Sequence, residues 1–206
     1  MKNKIFVVGF GAIGKALAVS LRLEGRIVAV LRGSVDDEPS RIEQIEVALN
    51  DGTTLAAEIE VSTLSRFERL DGIVVLTSKS YGNESLSRAL KDKTGDSPIV
   101  ILQNGLGVER AFIEKYFPEI YRCVLFATSQ SVSENKVSFK PVAVSPIGTI
   151  KGNEATLNAV VERLNTRNFQ FRAEADIQPV IWQKAIINSV FNSVCPLLEV
   201  DNGVFH

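Results

Sequence analysis

Gly9-Phe10-Gly11-Ala12-Ile13-Gly14 is a G-x-G-x-x-G that directly follows an apolar run and opens a helical pattern. In that setting the first glycine permits a tight turn and the second lets backbone approach a pyrophosphate. The third lets the helix pack close to the strand. The helix N-terminus then offers unpaired N–H groups and a favourable dipole to the phosphates. These letters predict dinucleotide binding; the competing reading is a glycine turn kept for packing alone. At the end of the second apolar run, where NAD-specific sites carry a carboxylate for the ribose hydroxyls, the chain has Leu31-Arg32-Gly33-Ser34. A guanidinium pairs with a 2′-phosphate in bidentate fashion, so Arg32 points to NADP(H), against the plainer reading of a solvated arginine. Lys79 and Asn104 fall just past the ends of the next two apolar runs. Open α/β sheets bind ligands there, although each residue taken singly reads equally as a surface lysine or a turn asparagine. Lys184, Asn188 and Asn192 recur every four residues and so share one face of a helix. A lysine and two amides in so apolar a segment need partners, whether a ligand or interdomain hydrogen bonds.

The elements that must position these residues alternate along the chain. Lys4 to Gly9, Arg26 to Leu31, Gly72 to Thr77 and Pro98 to Leu102 read as strands, near-continuous in Val, Ile and Leu as in a parallel sheet covered on both faces. Ala12 to Leu23, Glu84 to Lys91, Val108 to Tyr116 and Gly152 to Asn165 read as helices. Ile45 to Leu49 and Thr53 to Ala57 flank Asn50-Asp51-Gly52, a hairpin signal. Tyr121 to Ile150 predicts two or three further strands, some antiparallel, and Phe169 to Ala173 a last one. The fold class is therefore α/β, a Rossmann-type, mostly parallel sheet with helices on both faces. After Asp176, thirteen of the 22 residues from Ile177 to Leu198 are apolar and spread around the helix, as in the middle of a helical domain. This sets a boundary between residues 1–175 and residues 176–206, the latter being the first helical segment of an incomplete second domain. Ile181, Ile186, Val190, Phe191, Val194 and Leu197 are expected to face water there and to drive self-association into a homo-oligomer.

Composition narrows the function classes. With 206 residues, 45% hydrophobic and 23% charged, the chain has the makeup of a soluble globular protein. Twenty-three Lys+Arg against 24 Asp+Glu leave a net charge of −1, with no basic excess to attract nucleic acid. The single histidine is His206, and Cys123 and Cys195 are far apart, which argues against a metal site or a Ser/His triad. No basic leader precedes the first strand, and Pro179, Lys184, Asn188, Asn192 and Pro196 make the most apolar window too polar to span a bilayer. A cytoplasmic location is the expectation.

Taken in order, Gly9 to Gly14, Leu31-Arg32, Lys79, Gln103-Asn104-Gly105-Leu106-Gly107, Trp182-x-Lys184-x₃-Asn188-x₃-Asn192 and Asn202-Gly203 resemble the ketopantoate reductases over essentially the whole chain. The resemblance implies that Gly9, Phe10, Gly11, Ala12, Ile13, Gly14, Arg32, Lys79 and Asn104 bind NADPH, together with a loop residue near Ser131. It implies Lys184 as the catalytic acid, with Asn188, Asn192 and Asn202 contacting a 2-oxo acid substrate. The activity implied is reduction of 2-dehydropantoate to pantoate in pantothenate biosynthesis. Members of that family continue into a full helical domain bearing a substrate-binding serine and an acidic residue, neither of which maps onto this chain. The expectation is thus a chain that binds NADPH but turns over poorly or not at all. Two alternatives stand beside it: a non-catalytic NADP-binding regulatory module, and a reductase of another branched 2-oxo acid.

Overall fold

The computed structural model describes residues 4–33 and 37–200, all but the side chain of Asn192. Asn202 and Ser34 lie outside the described residues. The apolar runs become β1 (Lys4–Val8), β2 (Ile27–Arg32), β5 (Gly72–Leu76), β6 (Ile99–Ile101) and β7 (Ile120–Cys123). Between them lie β3 (Arg41–Leu49) and β4 (Thr54–Thr63), and after them β8 (Ala127–Ser131), β9 (Lys136–Pro141), β10 (Ser145–Lys151) and β11 (Phe171–Glu174). All belong to one sheet of order β11-β10-β7-β6-β5-β1-β2-β4-β3-β9-β8. From β4 to β7 every neighbouring pair is parallel, which is the Rossmann-type core. The strand order reverses between β1 and β5, so the crevice outside their carboxyl ends is the switch point at which such sheets bind ligands.

Among the described residues, five α-helices complete the fold: α1 (Ala12–Leu23), α2 (Asn83–Thr94), α3 (Arg110–Glu114), α4 (Glu154–Leu164) and α5 (Ile177–Leu198). Alternate residues of β1 feed opposite cores. Ile5 and Val7 pack with α1 and α4, whereas Phe6 and Val8 pack with Leu90 of α2 and Phe112 of α3. Every residue of α1 from Gly14 to Leu21 is buried, because the sheet curls around it. The curl brings opposite sheet ends together: the ring of Phe139 on β9 stacks on Phe169 at 4.8 Å, and Phe169 on Phe171 of β11 at 5.1 Å.

Several elements differ from their sequence reading. The hairpin is far longer than expected, and β4 inserts between β3 and β2. Four strands, not two or three, span 120–151, with β8 and β9 crossing to the far edge beside β3. The predicted helix over 108–116 shrinks to α3, since Gly107 and Tyr116 both hold positive φ and close it at either end. The helix expected from Gly152 starts at Glu154, because the Asn153 side chain caps it by accepting from Thr156 N at 2.9 Å. The last strand begins two residues late, after Thr166 and Phe169 close a local turn. Helix α5 occupies its predicted span. Its first turns dock through Ile177 and Ile181 against Val124, with Gly148 leaving room for Ile177. Ile181 is therefore buried, contrary to its expected exposure, whereas Ile186, Val190 and Leu197 are exposed together with Trp182 and Leu198. Among the described residues, no helix is long and apolar enough to cross a membrane.

Candidate active site

The glycine turn is clamped from both sides at the switch point. Gly9 N donates to the Leu31 carbonyl at 2.9 Å, and Thr77 N and Ser78 N both donate to the Val8 carbonyl, at 2.9 and 3.1 Å. Thr77 Oγ1 also donates to the Gly9 carbonyl at 3.1 Å. Gly9 has φ 127°, a region L side chains rarely adopt. A Cβ on Gly14 would overlap the Gly9 carbonyl oxygen, so this glycine sets the distance between α1 and β1. A Cβ on Gly11 meets nothing within 4 Å; that side of the turn is open. Gly11 stands at the N-cap of helix α1, which has no side-chain cap. An open cradle at an uncapped helix N-terminus is what a pyrophosphate requires, so these residues fit a dinucleotide.

Phe10 and Arg32 meet beside this turn. The Arg32 guanidinium carbon lies 4.7 Å from the Phe10 ring centroid, with the Lys15 ammonium also over that ring at 4.1 Å. Arg32 is ion-paired to Glu38 and Glu43, and its Nε is buried with no hydrogen-bond partner. The Lys15 ammonium donates to the Glu134 carbonyl, tying the β8–β9 turn to α1. Ala12 and Ile13 are half-buried in the first turn of α1. Ser131 closes β8, paired with Val137, and is therefore a strand residue and not a loop residue.

The second half of the site is a cleft beyond the carboxyl ends of β6 and β7. Asn104, Arg122, Cys123, Lys184 and Asn188 line it, so α5 and the Asn104 loop come together there. Lys184 donates its ammonium to the Leu125 carbonyl and lies 5.5 Å from the Phe126 ring centroid. Burial lowers the Lys184 pKa below the ordinary lysine value; Cys123 opposes the shift and the Arg122 charge adds to it. Burial pushes the Cys123 thiol up to about 12, so it stays protonated and inert as a nucleophile at neutral pH. Lys79, exposed, precedes a short 3₁₀ turn at Ser80–Gly82 on the crevice side and does not line this cleft.

Two positioning clusters, one around Arg122 and one around Gln103, escaped the sequence reading. Arg122 is almost fully buried and donates to the carbonyls of Ile101 at 3.2 Å, Gln103 at 2.5 Å and Gly105 at 2.7 Å, holding the loop that carries Asn104. Glu109 balances its charge at 3.4 Å. Asn83 and Gln103 form a reciprocal buried amide pair at 2.7 and 2.8 Å, and Gln103 Nε2 also donates to Ser78 Oγ at 3.4 Å. This joins the Lys79 loop to the Asn104 loop. A lone arginine inside an apolar strand was the one available signal; the amide pair had none.

The family described as "Ketopantoate reductase PanE/ApbA" matches residues 5–151. A 2-dehydropantoate 2-reductase of Halobacterium salinarum is 27% identical over 97% of this chain and 67% of its own length. One from Aquifex aeolicus is 29% identical over 98% and 66%. The chain spans about two thirds of the length of these curated relatives. Among solved structures, a probable 2-dehydropantoate 2-reductase of Bacillus subtilis superposes with a TM-score of 0.76 at 23% identity, covering 97% of this chain and 68% of that one. A D-mandelate dehydrogenase solved with NADH and anilino(oxo)acetate gives 0.75 at 22%, over 96% and 65%. On the family match over most of its length, this chain belongs to the ketopantoate reductase PanE/ApbA family.

Proposed function

We propose that the chain takes part in NADPH-dependent reduction of 2-dehydropantoate to pantoate, a step of pantothenate biosynthesis. The observation that carries this reading is the meeting of Lys184 and Asn188 on α5 with the Asn104 loop, in a cleft beyond the strand ends. The names of the relatives supply the substrate, and Arg32 supplies the preference for the phosphorylated cofactor. Gly9 to Gly14 receive the pyrophosphate, with Lys79, Asn104 and Ser131 as further cofactor contacts. Bound NADPH supplies the hydride for the ketone carbon. Lys184, protonated, donates a hydrogen bond to the ketone oxygen and passes it the proton, becoming a neutral amine. Asn188, Asn192 and Asn202 hold the substrate's hydroxyl and carboxylate oxygens through their amide N–H groups. On this reading residues 1–175 bind the cofactor, residues 176–206 begin the substrate side, and the apolar face of α5 joins two copies.

The test pairs cofactor binding with turnover. NADPH fluorescence titration of this chain should show saturable binding with little or no NADPH consumed on addition of 2-dehydropantoate, whereas a full-length form should consume it. In a full-length, active form, Lys184→Ala should lower kcat by about 10²–10⁴, the usual effect of a lost general acid, while the NADPH Kd stays within about twofold. Near-normal kcat in that variant removes Lys184 from the chemistry. Saturable binding without any reduction by a full-length form favours a cofactor-binding module.

A further inference from the structure

The cofactor reading assigns Arg32 to the 2′-phosphate, yet Arg32 already faces two carboxylates. Glu38 Oε2 lies 3.5 Å from its Nη1, and Glu43 Oε1 lies 3.5 Å from its Nη2. Arg41 shares both: its Nη1 donates to Glu38 Oε2 at 2.9 Å and its Nε to Glu43 Oε1 at 2.6 Å. Two guanidiniums and two carboxylates thus alternate around one small ring. The two glutamates are not equivalent. Glu43 stands on β3, its side chain 8% exposed, near the buried Lys15 ammonium whose charge it balances. Glu38 stands on the connection between β2 and β3 with 38% of its side chain exposed. Phe10 lies against the Arg32 guanidinium, with Glu43 at its Nη2 and Glu38 at its Nη1.

We propose that Glu38 is the resident counter-ion of a 2′-phosphate site built by Arg32 and Arg41, and that it sets the balance between NADPH and NADH. The inference rests on the cofactor reading above. A phosphate monoester carries about −1.5 to −2 charge and three acceptor oxygens, against one charge and two oxygens on a carboxylate. Two arginine forks therefore favour it over Glu38. Glu38 is half in water already, so its displacement leaves a hydrated surface carboxylate. Glu43 is not free to leave, because a buried carboxylate needs its partners. On NADH no phosphate arrives. Glu38 keeps its place and accepts hydrogen bonds from the ribose hydroxyls, the role that a carboxylate plays in NAD-specific sites. Glu38 thus tempers the selectivity that Arg32 alone confers, and Arg41 adds to it.

Calorimetric titration with 2′,5′-ADP and 5′-AMP, alongside fluorescence titration with NADPH and NADH, tests this on the whole chain. Glu38→Gln should tighten 2′,5′-ADP and NADPH by about tenfold, the scale of one charge-assisted contact, and should leave NADH equal or weaker. Arg41→Ala should loosen 2′,5′-ADP and NADPH by about tenfold and leave NADH within about twofold. An unchanged NADPH-to-NADH ratio in Glu38→Gln overturns the role of Glu38. Equal losses for both cofactors in Arg41→Ala overturn the role of Arg41. If the wild type binds none of the four probes, the cofactor reading itself fails and this inference falls with it. Thermal melting of each variant reports whether the fold has been kept, and Glu38→Ala serves as the second variant should Glu38→Gln melt early.

Discussion

At Lys184 two effects oppose each other. Its ammonium donates to the Leu125 carbonyl, which favours the charge, while burial and the neighbouring Arg122 disfavour it. Burial dominates and the pKa falls. For a lysine, a lowered folded-state value means that the protonated form is a stronger acid, and so a readier donor to a developing alkoxide. It also means that the charge costs stability at neutral pH, and that this cost fades as pH rises toward the ordinary value of about 10.4. The expected outcome is a Lys184 titration midpoint below about 10.4. Carbon-13 NMR of the reductively methylated chain, with the signal assigned by its absence in Lys184→Ala, reads that midpoint directly. A value at or above the ordinary one contradicts the desolvated cleft.

At the scale of an element, the turn into α1 separates two glycines that a motif treats alike. Gly14 packs against the Gly9 carbonyl and Thr77, inside a helix whose buried run fills the curl of the sheet. Gly14→Ala must push α1 away from β1, a core-overpacking change that costs about 1–3 kcal/mol and lowers Tm. Gly11 has an extended backbone (φ −82°, ψ 179°) that alanine also adopts, and its Cβ would point into open space. Gly11→Ala should therefore leave Tm within a degree or two of wild type, since surface changes fall within about ±0.5 kcal/mol. It should still weaken NADPH binding, because the added methyl stands where the pyrophosphate approaches. Thermal melting and fluorescence titration on both variants check the pair of outcomes. A Gly11→Ala chain with wild-type affinity would place the phosphates elsewhere.

Across the whole molecule, α5 presents two different faces. Ile177, Ile181, Lys184 and Asn188 lie toward the sheet, while Trp182, Ile186, Val190 and Leu197 lie on the opposite side and are exposed. Burying a large apolar side chain stabilises by about 1.5–3 kcal/mol, so pairing two such faces offsets a typical association cost. The chain is expected to sediment as a dimer or larger species at micromolar concentration. Ile186→Glu with Val190→Glu should return it to a monomer without loss of NADPH binding, since both residues face away from the cleft. A wild-type chain that sediments as a monomer would contradict self-association through α5.

Local patterns were readable from the letters alone. The apolar runs of β1, β2, β5 and β6, the glycine turn after β1, and the 22-residue span of α5 each depend on neighbours in sequence. Period, caps and turn chemistry act within a few residues and are written there. Tertiary structure decided what those elements touch. Nothing in Thr54–Thr63 states that β4 will lie beside β2, nor anything in Ala127–Pro141 that β8 and β9 will reach the far edge of the sheet. Hydropathy marks a face as buried but not the surface that buries it. The same holds at the site. Lys184 and Asn188 share a helix face by spacing, but their meeting with Asn104 depends on the docking of α5 through Ile177 and Ile181. Arg122, the Asn83–Gln103 pair and the ring of Arg32, Arg41, Glu38 and Glu43 are polar groups partly or wholly withdrawn from water. Each needed a partner, and the identity of that partner was fixed only when the sheet curled and brought distant segments within hydrogen-bonding distance.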